Sequence, residues 1–219
     1  MHRIRFEKTG RAVWMSHLDL MRLMQRAFRR AGVVLHHSQG FTPHAYVSML
    51  LPLSVGMASR CEILDFTLEE DNVPLESLPQ RLNPYFPTGI RVLSAYDSDR
   101  KIKELRYLQC NVRLEYDHGA GDEVRDTLNA LFQRKEIPVE KRSKKGMTEV
   151  DIKPMISTMG VSRISDQELE LQGIIAAQNP SLNPQLLVNA ISRHAPECSP
   201  DFSYATRIEV YDEDGGIFR

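Results

Sequence analysis

The chain has 219 residues, of which 42% are hydrophobic and 26% charged, with a net charge of -1. That composition belongs to an ordinary globular chain, long enough for one large domain or two small ones and able to bury a core without metals or disulfides. No apolar run approaches the ~20 residues of a membrane span, and residues 1–7 alternate charged and apolar side chains, unlike a signal peptide. A cytoplasmic protein with no membrane contact is therefore expected. Cys61, Cys110 and Cys198 are too scattered for a zinc or iron–sulfur signature and suit a reducing compartment, so neither a metal nor a cofactor is expected in this chain.

The pattern can be followed in chain order. Residues 2–8 alternate, with Ile4 and Phe6 inward, and predict a strand ended at Thr9-Gly10. Val13-Trp14-Met15 reads as a short continuation or partner of that strand. Ser16 opens a helix, with Asp19 three residues on as a variant of the capping box. Leu20, Leu23, Met24, Ala27, Phe28 and Ala31 follow helical spacing, Gly32 occupies the C-terminal cap position, and Arg22, Arg26, Arg29 and Arg30 form a stripe on the opposite side. Val33-Val34-Leu35 predicts a strand, 36–44 a polar loop, 46–53 a strand, 54–59 a turn and 61–68 another strand. A short proline-flanked helix over 74–84 and a strand over 90–95 complete the first half. After a polar connector at 97–101, the pattern predicts a strand at 108–116 and a helix at 121–135. A hairpin of 137–142 with 148–152, further strand over 161–176, a helix at 184–194 and a last strand at 204–211 follow. This order predicts an α+β fold of antiparallel sheets with helices on one face, arranged as two ferredoxin-like βαββ-type units over 1–97 and 105–219.

Charge is distributed unevenly. Residues 1–60 hold nine Lys/Arg against two acids, a charge of +7, together with five of the seven histidines, while the remainder carries -8. An arginine excess points to an anionic partner such as nucleic acid, or simply to a solvated helix face. His17, at the helix start, is of the residue type that serves as general acid or base for a nearby phosphate, or is an exposed histidine without a role. His36, His37 and His44 lack a neighbouring thiolate or carboxylate, and no metal is assigned to them.

Phe41, if exposed beside Ser38 and His44, makes a stacking platform for a base; if buried, it anchors the loop. Lys144 and Lys145, in the basic run from Lys141, suit phosphate contacts at a hairpin tip or are solvated surface. No phosphate-binding glycine loop, nucleophile elbow or pair of catalytic carboxylates is present.

Four blocks now carry a resemblance: Ser16-His17-Leu18-Asp19-Leu20-Met21-Arg22, Arg26-Ala27-Phe28-Arg29-Arg30-Ala31-Gly32, Ser38-Gln39-Gly40-Phe41-Thr42-Pro43-His44 and Leu51-Pro52-Leu53-Ser54-Val55-Gly56. Together they resemble the radical-SAM-linked family, a bacterial domain of unknown function fused to or encoded beside a B12-type radical SAM protein. Gly146 and Val150-Asp151-Ile152-Lys153-Pro154 look like that family's second motif. Thr42 stands where the family usually has Asn, and Lys153 where Arg is common.

The resemblance covers essentially the whole chain. It implies a radical SAM partner that carries the iron–sulfur cluster and S-adenosylmethionine, since this chain has no CxxxCxxC. Family members tend to be encoded near ribosomal-protein and ribonuclease genes, which implies RNA or ribosome maturation.

The leading expectation is an accessory RNA-binding or substrate-presenting module, not an enzyme on its own. In it Arg22, Arg26, Arg29 and Arg30 hold phosphates, and Ser38, Phe41 and His44 meet a base. Two alternatives stay open. One is an RNA-modifying or RNA-cleaving enzyme using His17, His37 or His44; the other is a protein-binding adaptor that does not touch RNA.

Overall fold

In the computed structural model the described residues are 1–39, 41, 43–69, 73–143 and 146–219. They fall into two compact units, Met1–Ile102 with Arg219, and Lys103–Phe218. The fold is α+β and its sheets are antiparallel.

The first unit runs β1 (His2–Lys8), α1 (His17–Arg30), β2 (Val47–Met49), β3 (Ala58–Phe66), α2 (Leu78–Leu82) and β4 (Ile90–Asp97). β1 lies between β3 and β4, and β2 adds to the far edge of β3, giving the order β4-β1-β3-β2. That is the βαββαβ path of a ferredoxin-like unit. Ile4 and Phe6 of β1 are fully buried with Leu64 and Phe66 of β3, against Leu20, Met24, Ala27 and Phe28 of α1 and Leu78 and Leu82 of α2. Both helices thus cover one face. Phe28 and Phe66 pack with ring centroids 5.0 Å apart.

Two of the basic residues counted above serve this unit's interior. Arg3 is buried, with Nε donating to Asp65 at 2.7 Å, one terminal nitrogen to the Ser98 hydroxyl at 2.7 Å and the other to the Arg100 carbonyl. Lys8 is buried as well, and its Nζ donates to the carbonyls of Val13 and Met15 at 3.1 and 3.0 Å.

Three local expectations are corrected in this unit. Val13-Trp14-Met15 is not strand: Gly10–Trp14 forms a 3-10 turn, because Gly10 at φ +52° swings the chain away from β1. The strand at 33–35 reduces to isolated bridges, Leu35 to Leu68 and His37 to Ala45, because the Val33 amide is committed to the end of α1. The strand at 46–53 shortens to Val47–Met49 ahead of Pro52, which has no N–H to offer a ladder.

The second unit repeats the path. It runs β5 (Tyr107–Glu115), α3 (Asp122–Phe132), β6 (Pro138–Ser143), β7 (Gly146–Asp151), β8 (Ile156–Arg163), β9 (Glu168–Ala176), α4 (Gln185–His194) and β10 (Phe202–Tyr211). The sheet order β10-β5-β9-β8 matches that of the first unit, with the β6–β7 hairpin inserted after α3. Alternate residues of β5, namely Leu108, Cys110, Val112 and Leu114, are buried, as the period of two requires. The stretch 161–176 divides in two, where the amides of Ile164 and Ser165 turn onto the Glu168 carbonyl at 2.9 and 3.2 Å.

Candidate functional site

α1 is built to present one face. Ser16 caps its N-terminus by accepting from the Asp19 amide at 3.2 Å, while its hydroxyl donates to the Asp19 carboxylate at 2.7 Å. Asp19 thus answers the cap through its carboxylate and the Ser16 hydroxyl, a variant of the reciprocal box. The C-terminus is closed three times over. Gly32, at φ +67°, gives its amide to Arg29 at 3.1 Å, Val33 gives its amide to Phe28 at 3.0 Å, and Arg81 donates to the Ala31 carbonyl at 2.9 Å. This is a Schellman ending reinforced by a cation.

The stripe arginines are therefore not needed to hold the helix. Arg22, Arg26, Arg29 and Arg30 are all exposed. Arg22 sits 3.6 Å from Asp19, an exposed pair of little energetic weight. Arg26, Arg29 and Arg30 make no ion pair or side-chain hydrogen bond among the described residues.

The segment after α1 doubles back on itself. Ser38 receives the His44 amide on its hydroxyl at 3.2 Å and gives its own amide to the His44 carbonyl at 2.9 Å. The His36 carbonyl accepts from Tyr46 at 2.8 Å. The resulting loop carries Phe41 fully exposed. Phe41 therefore does not anchor the loop in the core. Gly40 and Thr42 beside it, and Lys144 and Lys145 at the second basic cluster, lie outside the described residues.

The histidines are held apart by different partners. His36 Nδ1 lies 3.0 Å from Glu69, His37 Nδ1 lies 2.8 Å from the Leu35 carbonyl, and His44 Nδ1 lies 3.0 Å from the Ser38 hydroxyl. Among the described residues no three His, Cys, Asp or Glu side chains gather as a metal centre needs. The Ser38–His44 distance is within reach for a nucleophile and its base, but the same hydroxyl oxygen also accepts the His44 amide and so serves to close the loop. His17 is exposed in the first turn of α1, roughly 18 Å along the helix axis from Arg29. It does not join His37 and His44.

A pocket of about 340 Å³ lies between the end of α1 and this loop. Val33, Val34, Leu35, Pro43 and Ala45 give it an apolar lining, while Gln25, Arg29, His37 and His44 supply the polar groups. It brings together three of the residues singled out from the sequence, Arg29, His37 and His44, and leaves Arg22 and His17 outside. The apolar lining was the missed part. Its signal is Val34, which strand alternation places outward between buried Val33 and Leu35, and which is indeed exposed.

Other motif residues turn out to be scaffold. Gly56, at φ +87°, lies under the ring of Trp14, where an added Cβ would stand 3.3 Å from the indole. Asp151 accepts the amides of Ile137 at 2.7 Å and Lys153 at 3.0 Å, and Lys153 Nζ donates to the Phe132 carbonyl at 2.8 Å, capping α3. The three cysteines are buried and form no disulfide among the described residues, and burial pushes the Cys110 thiol up to about 12, far from a reactive thiolate.

Fold and site define a tandem of two ferredoxin-like units whose first helix presents an exposed arginine face beside an aromatic loop and a small pocket. The chain belongs to the bacterial family described as "Uncharacterized protein conserved in bacteria (DUF2344)", whose model matches residues 2–184. Among solved structures, a chain of a Cbf5-Nop10-Gar1 complex is similar with a TM-score of 0.54 and 10% identity, over 97% of this chain and 50% of that one. The chain thus spans about half the length of that match, and at this identity the likeness concerns the fold alone. An unknown protein from Galdieria sulphuraria aligns at a TM-score of 0.24 and 11% identity, over 94% of this chain and 96% of that one. No curated protein matches the sequence. Among the described residues no helix is long and apolar enough to cross a membrane.

Proposed function

We propose that the chain is an accessory module that binds single-stranded RNA through α1 and the loop after it, and presents that RNA to a radical SAM protein. The cluster and S-adenosylmethionine belong to that partner. The observation that carries the reading is that Arg26, Arg29 and Arg30 are exposed and, among the described residues, unpaired on a helix whose ends are already capped, and that the loop after it carries a fully exposed Phe41. Cations kept from carboxylates and helix carbonyls are available to phosphates, and a solvent-facing aromatic ring is available to a base.

The test is fluorescence anisotropy with a labelled RNA octamer at 50 and 200 mM salt. Three phosphate contacts on a single strand imply a loss of affinity of about twentyfold across that interval. Arg26→Glu with Arg29→Glu should weaken binding at least tenfold and flatten the salt dependence. Absent or salt-independent binding would remove the reading.

A second reading has its own observation. Trp14, Leu18 and Val55 are 68%, 65% and 55% exposed. Large apolar groups of that exposure near the start of α1 favour a protein-docking role. An adaptor that never touches RNA would bind the radical SAM protein whether or not nuclease is present, and would lose it on Trp14→Ala.

A further inference from the structure

The pocket at the end of α1 has a composition that phosphate binding by the arginine stripe leaves unexplained. At about 340 Å³ it stands at the small end of ligand pockets, the scale of one nucleotide and not of an extended molecule. Its lining is aliphatic, with Val33 and Leu35 buried behind it and Val34 and Pro43 exposed. Such a lining suits the flat face of an unstacked base, as single-stranded RNA supplies.

Its polar groups are few and differ in kind. The Leu35 carbonyl can only accept, so the His37 nitrogen 2.8 Å from it, Nδ1, carries the proton. In the neutral ring Nε2 is then an acceptor, the polar atom this side chain can offer to an occupant. Every base carries at least one N–H on its Watson–Crick edge to meet it. Arg29 stands at the same pocket and belongs to the stripe, so a base held here has its own phosphate beside a cation.

We infer that this pocket is a base-binding subsite, which takes one unstacked nucleobase of the strand held by Arg26, Arg29 and Arg30, with His37 Nε2 accepting a Watson–Crick N–H. The inference rests on the RNA reading above and deepens it. Phe41 stacks on a neighbouring base outside the pocket.

The experiment is a 1H–15N NMR titration of the full chain with the four nucleoside 5′-monophosphates, and with ribose 5-phosphate as the base-free control. Saturable shifts should centre on the amides of residues 33–37 and 44–45 with the nucleotides, and be absent with the sugar phosphate at equal concentration. Val34→Trp, at an exposed position, should fill the pocket and abolish those shifts. His37→Phe should weaken them about two- to tenfold, the worth of one neutral hydrogen bond.

Equal shifts from ribose 5-phosphate, or a Val34→Trp protein that binds nucleotides as the parent does, would overturn the subsite. The octamer separates the two failures. If Val34→Trp keeps the parent's octamer affinity and salt dependence, the subsite falls and the arginine reading stands. If the parent fails to bind the octamer at all, the arginine reading falls, and with it any claim on a strand.

Discussion

The two units follow the same βαββαβ path with the same strand order, but they engage their cations differently. In the second unit most basic side chains near the helices meet carboxylates or carbonyls. Arg125 lies 2.9 Å from both Asp122 and Asp126, Arg163 lies 2.7 Å from Asp166, Arg193 pairs with Glu149, and Lys153 closes α3. In the first unit Gly32, Val33 and Arg81 close α1, and of the stripe arginines Asp19 pairs with Arg22 alone. Three arginines, Arg26, Arg29 and Arg30, are left exposed without an ion pair among the described residues. What separates an open arginine face from a paired one is therefore less the number of cations than whether carboxylates lie within reach of them.

Asp151→Ala removes one carboxylate that satisfies two backbone amides, those of Ile137 and Lys153, and should cost about 2–4 kcal/mol of the second unit's stability. Urea unfolding with hydrogen exchange at those amides measures it. Octamer affinity of the folded protein should be unchanged; a loss of affinity would mean that the second unit contributes to the RNA face.

A smaller effect appears with pH. The Cys110 thiol, raised by burial to about 12, ionises in the unfolded chain near 9 and later in the folded one. The unfolded state thus loses its proton first. The contribution is complete below pH 9 and is lost as pH rises from 9 to 12, with a slope of at most about 1.4 kcal/mol per pH unit. Tyr116, also raised by burial, adds to the loss above pH 10. Thermal melts between pH 8 and 10 should show the decline, and Cys110→Ala should flatten it. An unchanged slope in that variant would place the alkaline sensitivity elsewhere.

The smallest expected change concerns the first unit. Gly32→Ala forces a side chain onto φ +67°, where its Cβ would make only an ordinary contact with the Arg81 guanidinium at 3.9 Å but the backbone is strained, and should cost about 1 kcal/mol. Because Gly32 aims Val33 and Val34 toward the pocket, nucleotide shifts should weaken more than octamer binding. Equal weakening of both would tie pocket and stripe into one site.

Much of this protein was legible in one dimension. Local rules determined β1, α1 with both its caps, the short helix after Pro74, the hairpin and α4, because alternation, helical spacing, Ser16 and Gly32 act over a few residues. The same rules placed four arginines on the outer side of α1. Tertiary structure decided the rest. The tandem strand order arises from pairings between residues as distant as Arg3 and Tyr96, which leave no repeat in the sequence. Within the +7 of the first sixty residues, Arg3 and Lys8 are buried and held by Asp65 and backbone carbonyls, while Arg26, Arg29 and Arg30 are exposed and unpaired among the described residues. Asp151 and Lys153 read as a motif of unknown role and proved to be caps for neighbouring backbone. The pocket was not legible, because its lining comes from a helix end, an interrupted strand and the return of a loop. A residue's own spacing can say which side of an element it occupies; only the packed chain says which charges find partners and which remain for a ligand.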